Sequence, residues 1–461
     1  MTQRRTVYSA SWVLPIAAPP LKDGAVCVDG ERIILVGPRA DVVAMAGEAR
    51  HVHLGHAALL PGLVNAHSHL ELTAMRGFLE GLDFREWLRT LTEARRDVMD
   101  ADALLDSARH GLGEALRNGI TTCADTAESI APLTAMHEMG TRGIGYLEVF
   151  GPDPMQCPGA ITGLRTRVTA SRASDTALVR TGVSPHAPYT VSAALFRAVA
   201  AYARDESLPV AVHIAESEAE TMFVREGAGP FAERLRARGI AVAPQARTPI
   251  KLLHDTNVLT VSPLLIHTIH VDDDDLAMIA AEGATIVHCP ISNAKLGQGV
   301  APLDRILNAR VATGLGTDSV ASNDRMDILG EARQATLFQA IAQRKPDALS
   351  AHAALDLATR GGARALGLDS RIGTLEPSKD ADLVAFPLDQ PDAIPLYDPV
   401  VTLIHVLGGA PRASLVVVAG KELVRDGQLV TQDAGLEARM ADIGARLMQW
   451  RAQRATARLT H

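Results

Sequence analysis

The amino-acid sequence predicts an α/β fold, a (β/α)8 TIM barrel with a small β-sandwich formed by its N- and C-terminal segments. Three observations predict it. Short apolar strands alternate with amphipathic helical segments through residues 61–368, and eight such alternations over about 300 residues match the size of this barrel. Strand-and-turn patterning flanks that region, in residues 1–60 and again in residues 369–461, which end in a helix. Groups that titrate or bind metal stand at nearly every barrel-strand end, where the side chains of such a barrel converge. A doubly wound open sheet is the competitor that periodicity alone allows.

In residues 1–60, the apolar runs 25–28 and 32–36 are separated by Asp29-Gly30, a hairpin turn. This module is too short for a large core of its own. The first barrel strand is expected over 60–65, entered through Pro61 and Gly62. Residues 102–117 carry Leu105, Ala108, Leu112 and Ala115 at helical spacing, and Asn118-Gly119 is a C-terminal stop. Further barrel strands are expected at 120–125, 144–150, 178–184, 209–215, 264–268, 285–289 and 311–318. Beyond the barrel, 382–386, 415–418 and 428–430 are expected strands, with turns at Gly420 and Asp426-Gly427. Two small modules flanking one barrel are most economically paired into one sandwich. The tail repeats Leu436, Met440, Ile443, Leu447 and Trp450 at 3.6 spacing, a helix stripe expected to pack on the core.

Composition narrows the function classes. The 461 residues are 47% hydrophobic, enough to bury a sizeable core. The net charge is -8 with acids and bases interspersed, and no basic patch points to nucleic acid or anionic membrane. No apolar run approaches a membrane span. The start, Met1-Thr-Gln-Arg-Arg, has no long apolar region with a small-residue cleavage site behind it, so no signal peptide is expected. Cys27, Cys123, Cys157 and Cys289 are widely spaced and form no Cys-x-x-Cys. That pattern suggests neither disulfides nor a thiolate metal site, and a reduced, cytoplasmic setting is expected.

The strand ends carry the chemistry. His67 and His69 are two residues apart, so an extended strand aims both imidazoles to one side. Later ends carry Glu148, His186, His213 with Glu216, His267 with His270, His288 with Asn293, and Asp318 with Ser322. A buried histidine or a capping aspartate explains any one of these, but not all together. His67, His69, His213 and Asp318 supply three nitrogens and a carboxylate oxygen, a hydrolytic metal set with room for water. Glu216 follows His213 by three residues, near enough for general acid/base work. His267 is placed to orient or deprotonate the water, or to polarise the bond under attack.

At these residues the chain resembles the amidohydrolase superfamily, in its cytosine deaminase/chlorohydrolase-type branch. The resemblance is carried by Pro-Gly-Leu-Val-Asn-x-His-x-His at 61–69, His-x-x-Glu at 213–216 and His-x-x-His at 267–270. His-x-Pro-x-Ser-Asn-x-Lys-Leu at 288–296 and Gly-Thr-Asp-x-x-x-Ser-Asn at 316–323 complete it. It covers nearly the whole chain, the split β-sandwich included. It implies one divalent metal ion per chain on His67, His69, His213 and Asp318, zinc first, with iron, manganese or cobalt as alternatives. It implies catalytic roles for Glu216, His267 and Asp318, and substrate contacts from Glu71, Trp87, His186 and Ser322. Glu148 is either a further substrate contact or an extra ligand. No lysine ends strand four, where a binuclear member carries a carboxylated lysine, so a mononuclear centre is expected.

Within that branch, His69-Leu-Glu71-Leu, Gly227-Ala-Gly229-Pro-Phe231 and Asp318-Ser319 with Ser322-Asn323-Asp324 resemble aminodeoxyfutalosine deaminases. S-adenosylhomocysteine/methylthioadenosine and guanine deaminases are close relatives. The first of these carry a ribose-binding acid shortly after the tryptophan matching Trp87, where this chain reads Glu93-Ala-Arg95-Arg96. The leading expectation is hydrolytic deamination of an aminopurine nucleoside-like metabolite. The alternative keeps the site but dechlorinates a xenobiotic or hydrolyses its amide bond. A non-catalytic scaffold is disfavoured by the complete ligand set. The partner expected is a small molecule, with a homodimer left open. If the substrate bears a carboxylate, Arg76, Arg85 or Arg89 is expected to meet it.

Overall fold

The computed structural model describes residues 5–459. The chain begins with β1 (Thr6–Val13), β2 (Leu21–Asp29), β3 (Arg32–Pro38), β4 (Arg50–His53) and β5 (Ala57–Pro61). The barrel strands are β6 (Leu63–Ser68), β7 (Ile120–Ala127), β8 (Arg142–Val149) and β9 (Val179–Pro185). They continue with β10 (Ala211–Ile214), β11 (Leu264–His267), β12 (Thr285–His288) and β13 (Thr313–Leu315). After the barrel come β14 (Leu383–Pro387), β15 (Leu415–Val418), β16 (Lys421–Arg425) and β17 (Gln428–Leu429).

The eight barrel strands pair in parallel as β6-β7-β8-β9 and β10-β11-β12-β13. Two seams close the ring. Val183 bridges Val210, with its N–H donating to Pro209 O at 2.9 Å. Ser68 bridges Asp318, and the Asp318 N–H donates to His67 O at 3.0 Å. The second seam sets a predicted metal-site histidine beside the predicted carboxylate. Asn65 locks it from below, giving Nδ2–H to Thr317 Oγ1 at 2.8 Å and accepting the Thr317 N–H at 3.0 Å. Strand interiors are buried on both sides, as a parallel sheet wrapped by helices requires.

The terminal strands merge into one nine-stranded sheet, ordered β17-β16-β15-β14-β5-β1-β2-β3 with β4 paired to β1. The two ends of the chain meet where β5 runs antiparallel to β14, Pro61 opposite Leu383. Leu60 therefore belongs to this sheet, and the first barrel strand starts at Leu63, three residues later than expected. Gly62 makes the crossing. Its N–H donates to Asp382 O at 2.9 Å, and a Cβ there would lie 2.1 Å from Thr121 Oγ1. β1, β4, β5 and β16 were not anticipated individually. β4 is a polar, largely exposed Arg-His-Val-His run without alternation.

Arg142, at the start of β8, ties barrel to sheet. It is 1% exposed and donates Nε–H to Asp382 Oδ2 and Nη2–H to Asp380 Oδ2, both at 2.8 Å. The tail is the helix Leu436–Leu459, in which Ile443 and Leu447 are buried as expected. It packs on the helices Phe84–Val98 and Ala101–Arg117. All four cysteines are free. Among the described residues no helix is long and apolar enough to cross a membrane.

Candidate active site and metal centre

One ligand atom each from His67, His69, His213 and Asp318 lies within 4.8 Å of the other three. His67 Nε2 is 3.2 Å and His69 Nε2 is 3.4 Å from Asp318 Oδ1. Burial pushes the His67 imidazole down to about 4. Burial, with the neighbouring imidazoles, holds His213 well below the usual histidine range, and burial also lowers His69. All three are therefore neutral near pH 7, the form that ligates a metal. Burial disfavours an ionised Asp318, but the hydrogen bond from His67 and the surrounding imidazoles outweigh it and keep the carboxyl well below its ordinary value. Three neutral nitrogens and one carboxylate fit a single divalent ion. Buried nitrogens without a protein partner, His67 Nδ1 and His213 Nδ1, belong to the same cluster.

The backbone is bent to build this cluster. Ala215, His267, Thr268 and Asp318 have φ of 52°, 72°, 48° and 56°. Non-glycine residues seldom adopt this left-handed region, and each costs about 1–3 kcal/mol. All four sit just past or at the ends of β10, β11 and β13, where the conformation turns side chains into the barrel mouth. Gly316 permits the seam's close approach, since a Cβ there would lie 2.9 Å from His67 Cβ.

Neighbouring side chains fix the polar groups. Ser292 and Ser322 hydroxyls both donate to Asp318 Oδ2, at 2.5 and 3.1 Å. His267 Nδ1 lies 2.9 Å from Asn293 Oδ1. A carbonyl oxygen only accepts, so Nδ1 carries the proton and Nε2 faces inward as an acceptor. Glu216 Oε1 is 3.6 Å from that Nε2. Glu220 positions Glu216 by accepting the N–H groups of Ala215 and Glu216 at 2.8 and 3.0 Å. Burial raises the Glu216 carboxyl above its ordinary value.

A cavity of about 630 Å³ opens over the cluster, within the range of small-ligand sites. Glu71, Trp87, Glu148, His186, Glu216, His267 and Asp318 all line it. Glu71 is held there by Arg95, 2.7 Å away. Trp87 Nε1–H donates to Ala321 O at 3.3 Å. His186 Nδ1 meets Thr190 Oγ1 at 2.8 Å, and burial pushes its imidazole down to about 3. Glu148 has an unpartnered Oε1, and burial, then the nearby Glu71, pushes its carboxyl up to about 8.

Ser322 differs from expectation. It does not line the cavity but sits behind Asp318 as a donor to it, which corrects the direct substrate contact. The expected arginines are also elsewhere. Arg76 pairs with Glu114, Arg89 pairs with Glu86, and Arg85 is outside the lining. Arg95, Arg96, Arg234 and Arg238 line the cavity instead. Glu93 pairs with Arg454 and is likewise outside.

Residues 58–423 match the amidohydrolase family. The chain belongs to the amidohydrolase family. It is 32% identical over 434 residues to a 5-methylthioadenosine/S-adenosylhomocysteine deaminase of Nitratidesulfovibrio vulgaris, covering 92% of each chain. It is 30% identical over 464 residues to the enzyme of that name from Teredinibacter turnerae, covering 98% of each. Its fold is similar to a zinc-bound adenosine deaminase from Xanthomonas campestris, with TM-score 0.86, 29% identity and coverage of 96% and 98%. It is similar to the zinc-complexed atrazine chlorohydrolase TrzN of Arthrobacter aurescens, with TM-score 0.82, 27% identity and coverage of 96% and 100%. The aminofutalosine deaminase of Helicobacter pylori shares the fold, with TM-score 0.79 at 20% identity over 91% of this chain and all of that one.

In this amidohydrolase the groups missed by sequence reasoning are those that hold others. Asn293 and Ser292 lie in the 288–296 motif, whose spacing does not reveal that they hold His267 and Asp318. Glu220 was four residues beyond Glu216. The aromatic walls were also missed, among them Tyr189 stacked on Phe231 with centroids 4.0 Å apart. Only the packing of the helix Gly229–Ala237 against the segment after β9 brings those rings together.

Proposed function

We propose that this amidohydrolase hydrolytically deaminates the aminated purine ring of a nucleoside-like metabolite. The observation that carries the reading is the Glu216–His267 pair beside the three-histidine, one-aspartate cluster, on the floor of a cavity with aromatic walls. His67, His69, His213 and Asp318 would hold a divalent ion, zinc by analogy with the solved relatives, which when bound would supply the acidification of water that hydrolysis near neutral pH needs.

The chain's own groups then handle the protons. Asp318, ionised and steadied by Ser292 and Ser322, accepts a proton from the attacking water. His267 presents Nε2 as a second acceptor in the tautomer that Asn293 imposes. Glu216, which burial favours as the acid, delivers a proton through its carboxyl oxygen to the ring nitrogen beside the carbon under attack. The carbon–oxygen bond forms and the carbon–nitrogen bond breaks; the amine leaves as ammonia with the proton taken up by Asp318, and the remaining water proton returns to Glu216 as the ring carbonyl forms. Tyr189, Phe231 and Trp87 offer faces for the base and its substituent.

The relatives near 30% identity support an adenine nucleoside substituted at the 5′ position, while the aminofutalosine deaminase supports the fold alone. The test is a panel. Ammonia release is followed from methylthioadenosine, S-adenosylhomocysteine, adenosine, aminodeoxyfutalosine and guanine, and chloride release from a chlorinated triazine. Metal-dependent ammonia release from an adenine nucleoside is expected. Chloride release with no ammonia would overturn the reading in favour of a dechlorinase, the chemistry of the similar TrzN.

A further inference from the structure

The helix Gly229–Ala237 lies along the cavity. Phe231, Arg234, Leu235 and Arg238 line that cavity at spacing i, i+3, i+4 and i+7, so a single helical face is turned to it. The two arginines on this face differ from their neighbours. Arg236, on the other side, donates to Gly227 O at 2.7 Å. Arg95 across the cavity is neutralised by Glu71 and Glu128, and Arg96 by Asp97. Neither the Arg234 nor the Arg238 guanidinium makes a hydrogen bond or ion pair with any described residue. Both are exposed, whereas the metal cluster is buried, so they stand at the outer end of the cavity. A substrate whose amine reaches the cluster points its far substituent toward them.

We propose that Arg234 and Arg238 select nucleosides carrying an anionic group, a carboxylate or a phosphate, on the substituent beyond the sugar. The inference rests on the deaminase reading above. A guanidinium fork matches either anion with two parallel N–H donors. On a chain of net charge -8, a cation pair at the mouth without a paired acid supplies local attraction for an anion.

The test compares three substrates on metal-loaded enzyme: methylthioadenosine with a neutral tail, 5′-S-(2-carboxyethyl)-5′-thioadenosine with a carboxylate, and adenosine 5′-monophosphate with a phosphate. Wild type should favour an anionic tail in kcat/KM, and whichever anion gains more identifies its class. In Arg234→Ala/Arg238→Ala the anionic-to-neutral ratio should fall about tenfold or more. Arg234→Lys/Arg238→Lys should keep part of the preference. Added salt should depress kcat/KM for the anionic substrate in wild type and much less in the alanine variant. Equal kcat/KM for neutral and anionic tails in wild type, or an unchanged ratio in the alanine variant, overturns this inference and leaves deamination intact. No ammonia from any of the nucleosides overturns the deaminase reading, and this inference with it.

Discussion

Replacing Glu216 by glutamine changes one group and almost no volume. Glu216 lies outside the four-ligand set, and its backbone is held by Glu220 at 3.0 Å. The variant should therefore bind metal as wild type does. Glutamine, however, delivers no proton to a ring nitrogen. A positioned general acid/base contributes about 10²–10⁴-fold, which is about 3–5 kcal/mol of barrier at about 1.4 kcal/mol per decade. The side chain is buried 3.6 Å from His267 Nε2, the one carboxylate paired with that nitrogen among the described residues, so the upper part of that range is expected. The assay is steady-state ammonia release, with metal content measured on the same preparation. The loss should fall in kcat and kcat/KM together, because the proton moves only in the transition state. Turnover within about threefold of wild type at equal metal content would show that another group carries the proton.

The supporting contacts make further predictions. Asn293→Ala removes the acceptor at 2.9 Å that fixes the His267 tautomer; ammonia release should drop about 10–100-fold, with metal content preserved. Arg142→Ala strands the buried Asp382 carboxylate, while Asp380 keeps Arg32 and Arg371; urea unfolding should show a loss of about 3 kcal/mol. Burial pushes the Asp327 carboxyl up to about 6 against the opposing N–H bonds from Gly330 and Gly409. The folded chain thus prefers Asp327 protonated, so its stabilisation is full below the unfolded pKa of about 3.9 and is lost as pH rises through 6. Between pH 4 and pH 8 wild type should lose about 2 kcal/mol more than Asp327→Asn in urea unfolding.

Elements with strong periodicity were readable from the chain alone. Each of the eight barrel strands overlaps an apolar run that predicts it, because a parallel strand buried on both faces has little choice but to be apolar. The first strand was misplaced by three residues because Leu60 and Leu63 are equally apolar. Only the pairing of Pro61 with Leu383 shows that they belong to different sheets. The metal cluster was legible because strand geometry and residue type both point to it. The arginines were not. Charge on a helix says nothing of whether an acid waits opposite, and Arg76 and Arg89 proved to be paired while Arg234 and Arg238 were not. Ser322 misled for a related reason: a hydroxyl in a catalytic motif can serve the carboxylate behind it as well as the substrate in front.

The proposed deamination requires one metal ion on His67, His69, His213 and Asp318. Titrating divalent zinc into metal-stripped enzyme while following ammonia release from an adenine nucleoside tests it most directly. Activity should rise from zero in proportion to bound metal and level off at about one ion per chain. Ammonia release that persists in the stripped enzyme, or that levels off only at about two ions, would contradict it.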